Sequence, residues 1–164
     1  MSHPSLELIL STSRAGAEAF RCVKPFAVVS ITDPQTQPAF LRQSTIVARC
    51  NLQFWDLLED IGNGPVFDAA LAGEVLKFAR HECGGAKLLL VHCEAGISRS
   101  TGLAHALGNI LDVEVRHHNA LTLNPNTLVM RLMLEAAGLT LDPSYTAQLS
   151  EYRASLERRL RELP

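Results

Sequence analysis

Apolar and polar positions along this chain follow two rhythms, short unbroken apolar runs and longer stretches with apolar residues three and four apart. The first pattern reads as buried strands and the second as helices with one face inward. Phe26-Ala27-Val28-Val29-Ser30-Ile31 is the first strand of this reading, closed by Asp33-Pro34, and a loop containing Pro38 follows over 36–44. A second strand runs from Ile46 to Phe54. Phe67, Ala70, Leu71, Val75 and Phe78 then predict a helix from Val66 to about His81, ended by Gly84-Gly85. Lys87 to Val91 is the next strand, and a helix starts at Ser98 with Leu103, Leu107, Ile110 and Leu111 at helical spacing. Val113 to His118 reads as a short extended piece. Asn124-Pro125-Asn126 breaks the chain before a helix over Thr127 to Ala137, closed by Gly138. A last helix, Tyr145 to Leu163, carries the stripe Tyr145, Leu149, Tyr152, Leu156, Leu160 and Leu163. Such a stripe predicts docking on the core, with a dimer contact as its other use.

Strands alternating with helices predict an α/β fold with a mostly parallel central sheet flanked by helices. At 164 residues, with neither repeats nor a low-complexity tract, the whole span 1–164 is expected to form one domain. Composition narrows the function classes. Hydrophobic content of 47% and a net charge of −2 give no global pull toward nucleic acid. No apolar run approaches the roughly twenty residues that cross a bilayer. The start Met1-Ser2-His3-Pro4 lacks the basic flank and apolar core of a signal peptide, so the expected location is cytoplasmic. Cys22, Cys50 and Cys83 have no paired spacing for zinc or disulfides and read as reduced thiols. His3, His81, His105, His117 and His118 are scattered, and the adjacent His117-His118 reads as a surface turn. Neither a metal nor an organic cofactor is expected, and the oligomeric state is read as a monomer or weak homodimer.

The chemistry concentrates in one segment. Leu88-Leu89-Leu90-Val91 runs into His92-Cys93, a short loop follows, and Arg99 opens a helix. By itself the Cys-x5-Arg spacing is a weak signal; the strand before it and the helix after it make it specific. Loop amides and a helix N-terminus together attract an anion, because those N–H groups have no intrahelical partner and the dipole favours negative charge. Gly96 lets the backbone approach a ligand closely. Arg99 offers a planar fork for two phosphate oxygens. The same positive field favours the thiolate of Cys93, a nucleophile that needs no separate base.

His92-Cys93-Glu94-Ala95-Gly96-Ile97-Ser98-Arg99-Ser100 resembles the His-Cys-x2-Gly-x2-Arg-Ser/Thr signature of the cysteine-dependent protein tyrosine phosphatases. Its Gly-x-Ser-Arg-Ser ending is most similar to the dual-specificity and small bacterial branches. The likeness is tight over Lys87 to Gly102 and loose elsewhere, although Asn124-Pro125-Asn126 before an apolar helix is also similar to the small bacterial members. The resemblance implies a phosphatase fold, a cysteinyl-phosphate intermediate at Cys93 and phosphate binding by Arg99 with the loop residues Glu94 to Ser98. It also implies that the Ser100 hydroxyl bonds the leaving thiolate and that His92 supports the loop.

Expulsion of an alkoxide or phenoxide calls for a proton donor, usually a positioned carboxylic acid. Asp56, Glu59, Asp60 and Asp68 lie in the region where the resembling family carries its aspartate. Asp56 is the first carboxylate after the Ile46–Phe54 strand, which places it at the sheet edge where the Cys93 loop also emerges. Asp56 is therefore the expected acid and Asp60 the alternative, in a loop that Gly62, Gly64 and Pro65 make mobile.

The loop interior carries no cation, and Glu94 opposes a second phosphate nearby. A singly phosphorylated substrate follows, phosphotyrosine or phosphoserine/threonine on a protein. A phosphatase of small nucleotide or sugar phosphates is the second reading, and a non-catalytic phosphoprotein-binding module the third. Sulfur transfer by a loop cysteine fits the Ser-Arg-Ser ending poorly. Arg131 reads as a solvent-facing helix charge rather than part of the site.

Overall fold

The computed structural model describes residues 5–62, 64–118 and 123–144, with single positions between 147 and 162. Within it, five strands form one sheet in the order β3-β2-β4-β1-β5: β1 (Leu8–Ser13), β2 (Phe26–Thr32), β3 (Ile46–Gln53), β4 (Leu88–Cys93) and β5 (Glu114–His117). Every neighbouring pair is parallel. The α/β expectation holds, and the sheet is parallel throughout rather than mostly so. All strand C-termini therefore fall on one edge, which is where open parallel sheets bind ligands.

The strand beginning at Phe26 is the second, not the first. β1 precedes it and lies inside the sheet between β4 and β5, with Ser11 opposite Val91 on one side and His117 on the other. Its second half, Ser11-Thr12-Ser13, is polar in sequence, and Ser11 and Thr12 are nevertheless buried because their hydroxyls are hydrogen-bonded. β2, between β3 and β4, is buried at all seven positions, as a parallel strand covered on both faces should be.

Alternate residues of the strands feed two apolar clusters. Ile9, Val29, Ile31, Leu89 and Val91 face the larger one, shared with α2 (Ala69–Lys77), α3 (Arg99–Leu111) and α4 (Thr127–Ala136). Leu10, Phe26, Val28 and Leu90 face the smaller, closed by Ala17 of α1 (Arg14–Ala19) and by Ala39 and Leu41 of the β2–β3 connection. The helix expected from Val66 begins at Ala69, where the Asp68 carboxylate caps the Leu71 amide at 2.8 Å, and it ends in a π-turn over Phe78–Glu82. The strand before the cysteine includes His92 and Cys93. α3 starts at Arg99, one residue after Ser98, and α4 spans Thr127–Ala136. The expected C-terminal helix from Tyr145, with its stripe, lies outside the described residues. Among the described residues, no helix is long and apolar enough to cross a membrane.

Candidate active site

The segment from Cys93 to Arg99 is held by its carbonyls. Glu94 C=O accepts the Arg14 amide at 3.2 Å, Ile97 C=O accepts the Asn124 amide at 3.0 Å, and Ser98 C=O accepts the Asn126 amide at 3.0 Å. The Thr101 hydroxyl adds bonds to the Ile97 and Ser98 carbonyls at 2.6 and 3.0 Å. Carbonyls fixed outward leave the amides to face the inside of the loop, and the Gly96 N–H does so, donating to Cys93 Sγ at 3.2 Å. Gly96 has φ +71°, and a Cβ there would stand 2.5 Å from the Ser13 backbone nitrogen. Only glycine fits between the loop and the end of β1.

Cys93 is buried, and its sulfur has a second partner in the Ser100 hydroxyl at 3.2 Å. His92 lies on the other side of the strand end, its Nε2 2.6 Å from Ser30 Oγ and its Nδ1 3.3 Å from the Cys93 carbonyl. Burial pushes the His92 pKa down, so the ring is neutral and supports the loop through these two contacts.

Arg99 is the first residue of α3 and is 5% exposed. Its Nη1 donates to Asp33 Oδ1 and to the Phe54 carbonyl, both at 2.8 Å. Those bonds anchor one end of the guanidinium. Nε is buried with no partner among the described residues. Buried donors are almost always satisfied, so an orphan beside inward-facing amides marks a place for an acceptor such as a phosphoryl oxygen.

Asp56 stands across from the loop. Its Oδ1 accepts from Ser98 Oγ and from Asn126 Nδ2, both at 2.8 Å, and Asn126 Nδ2 also reaches the Leu57 carbonyl at 3.1 Å. Among the described residues nothing bonds Oδ2. Asp60, by contrast, is exposed and closes a turn on the Gly62 amide at 2.8 Å. Glu59 is exposed as well, and Asp68 is spent as the α2 cap. Beside Asp56 a cavity of about 360 Å³ is lined by Asp33, Trp55, Leu57 and Ile61.

Three partners of the site were not read from sequence. Asp33 in sequence reads as a strand terminator, yet it is the first carboxylate after β2 and obeys the same sheet-edge rule as Asp56. Asn126 in sequence is only part of the break before α4. Arg14 grips the Glu94 carboxylate and holds its pKa below the usual range, so Glu94 is a paired charge and not the free repulsive one expected. Ala95 is exposed and Ile97 half-buried at the loop rim.

His117 is not in a surface turn: it ends β5 and packs on His105, the two Nε2 atoms 3.1 Å apart, while His118 Nδ1 lies 3.0 Å from Thr12 Oγ1. Among the described residues no cluster of three metal-ligating side chains exists. All four cysteines are free, and burial pushes the Cys50 and Cys83 thiols up to about 11 and about 12. Arg131 is exposed and pairs with Glu135 at 3.0 Å.

No protein-family model and no curated protein matches the chain. Similar solved structures include human DUSP28, at 19% identity over 95% of this chain and 96% of that one, with a TM-score of 0.40. A point variant of human DUSP28 matches at 23% identity over 95% and 94%, with a TM-score of 0.39.

Proposed function

We propose that the protein hydrolyses phosphomonoesters through a cysteinyl-phosphate intermediate, with phosphotyrosine, and phosphoserine or phosphothreonine, as the substrate class. One observation carries the reading: the Gly96 amide and the Ser100 hydroxyl converge on Cys93 Sγ, beside Arg99 Nε, a buried donor with no partner among the described residues.

In this mechanism the phosphoryl group seats on the inward amides of Glu94 to Arg99, with the Nε edge of Arg99 on its oxygens. The Cys93 thiolate attacks phosphorus, and the phosphorus–oxygen bond to the leaving group breaks. Asp56, protonated on Oδ2, gives that proton to the departing oxygen. Water then attacks the cysteinyl phosphate, Asp56 takes its proton, and the sulfur leaves as a thiolate stabilised by the Ser100 hydroxyl and the Gly96 amide. Inorganic phosphate is released and the enzyme is restored. The apolar walls of the cavity beside Asp56, from Trp55, Leu57 and Ile61, favour an aromatic leaving group over a sugar.

The test is phenolate release from a generic aryl phosphate with a metal chelator present. Turnover by the native chain, lost in Cys93→Ser while inorganic phosphate still binds, is the expected result. Phosphopeptide binding without turnover in the reduced native chain would replace this proposal with the binding-module reading.

A further inference from the structure

The site contains a buried hydroxyl that the mechanism above leaves without a task. Ser11 Oγ donates to Ser100 Oγ at 3.2 Å, and Ser100 Oγ in turn lies 3.2 Å from Cys93 Sγ. Ser11 is 1% exposed and Ser100 fully buried. A hydroxyl in an interior strand is costly unless bonded, and at this position alanine or valine would pack against the cluster that takes Ile9. Among the described residues Ser100 is the only side-chain partner of Ser11. The backbone around it is fixed from both sides, by pairing with Val91 and His117 and by the His118 amide on the Ser11 carbonyl at 3.0 Å.

We infer that Ser11 is a positioning residue for the nucleophile: by donating to Ser100 Oγ it turns the single Ser100 proton toward Cys93 Sγ. A hydroxyl has one proton and two lone pairs, and a thiolate only accepts. Ser100 must give its proton to the sulfur, so Ser11 must give its own to Ser100. The row Ser11–Ser100–Cys93 therefore has one direction when the sulfur is charged. With Ser11 absent, Ser100 is free to rotate its proton away, and the thiolate keeps only the Gly96 amide as a certain donor. The inference rests on Cys93 being the nucleophile, and its effect falls on both the attacking and the departing thiolate.

The charged and titratable groups facing this centre are otherwise engaged. His92 of β4 contacts Ser30, Glu94 of the loop pairs with Arg14 of α1, and Arg99 of α3 pairs with Asp33 after β2. Asp56 after β3 is held by Ser98 and Asn126, and His118 after β5 contacts Thr12. Swapping Ser11 leaves those contacts in place.

The experiment is the pH dependence of iodoacetamide alkylation, read by mass on the Cys93 peptide, in a double-mutant cycle of Ser11→Ala and Ser100→Ala. Ser11→Ala is expected to move the midpoint of the rate–pH curve up by about half a unit, a fraction of what a hydrogen bond to a charged group contributes. In the Ser100→Ala background the same change is expected to move it no further. Ser11→Thr, which keeps the hydroxyl, should restore the native midpoint and serves if Ser11→Ala does not fold. An equal shift in both backgrounds, or none in the native background, overturns the inference. Alkylation needs no substrate, so absence of phosphate-ester turnover would count against the proposed function alone.

Discussion

Arg14 holds Glu94 by two nitrogens: Nε lies 3.0 and 3.1 Å from the two carboxylate oxygens, and Nη2 lies 2.8 Å from Oε1. The same Nη2 reaches the Gln37 carbonyl at 2.7 Å, so one guanidinium ties the Cys93–Arg99 loop to α1 and to the β2–β3 connection. A partly exposed pair of charges is ordinarily worth little, but a planar two-point grip adds orientation to attraction. Arg14→Ala is expected to lower kcat/KM by roughly tenfold, the equivalent of about 1.4 kcal/mol, with little change in Tm. Arg14→Lys should recover only a minor part, since a point charge lacks the fork. Steady-state kinetics on an aryl phosphate, with a melting curve for each variant, checks both statements.

Asp56 and Asp60 separate cleanly in their surroundings, and the kinetics should separate them too. Asp56→Ala is expected to lower kcat by about 10²–10⁴ for a poor leaving group. The loss should shrink as the leaving phenol becomes more acidic and needs no proton. Asp60→Ala should leave kcat unchanged across the same series. A leaving-group series on both variants decides the matter, and the reverse pattern would move the acid to Asp60.

Gly96 is the point where the loop and β1 come nearest. An alanine there would need φ near +71° and would bring its Cβ to 2.5 Å from backbone that cannot yield. Gly96→Ala should therefore displace the loop amides and reduce turnover by on the order of a hundredfold or more, as small misplacements of reacting groups do. Phosphate binding should weaken with it, unlike in Cys93→Ser, and a titration with inorganic phosphate distinguishes the two.

His117 gives the fold an acid limb. Burial and the neighbouring His105 push its pKa down to about 4 from an ordinary 6.5. The unfolded chain binds a proton below 6.5 that the folded chain refuses, so stability is complete above that pH and is lost as pH falls toward 4. The loss reaches about 2 kcal/mol by pH 4.5, and Tm should fall by roughly 4–8 °C between pH 7 and 4.5. His117 Nδ1 is buried without a partner among the described residues, so His117→Phe should shrink this dependence, at the cost at pH 7 of the contact with His105 Nε2. Parallel Tm–pH curves for the two proteins would show that another group is responsible.

What the sequence disclosed followed from unbroken patterns. Leu88 to Val91 is apolar without interruption, and Asp56 yields to the rule that carboxylates at strand ends reach the ligand edge. β1 escaped because Ser11, Thr12 and Ser13 look like a loop; the burial of Ser11 and Thr12 depends on partners more than eighty residues away, Ser100 and His118. Arg14 and Asn126 escaped for the same reason. Each acts through a residue distant in the chain, Glu94 and Asp56, and no local periodicity encodes such a pairing. Asp33 obeys the same rule as Asp56, but Asp33-Pro34 is in sequence equally a strand terminator. His117 misled by adjacency: side chains that alternate along β5 send it and His118 to different neighbours.

Asn126 caps α4 through Oδ1, which takes the Val129 amide at 3.0 Å, while its Nδ2 holds Asp56 and Leu57. One planar amide is thus a hinge pin shared by the acid-bearing loop and a helix. Opening of that loop would take the load off one side of the pin and free it to turn on the other, loosening the first turn of α4. Exchange of the Val129 amide proton with solvent would then report on a loop that Val129 itself does not touch.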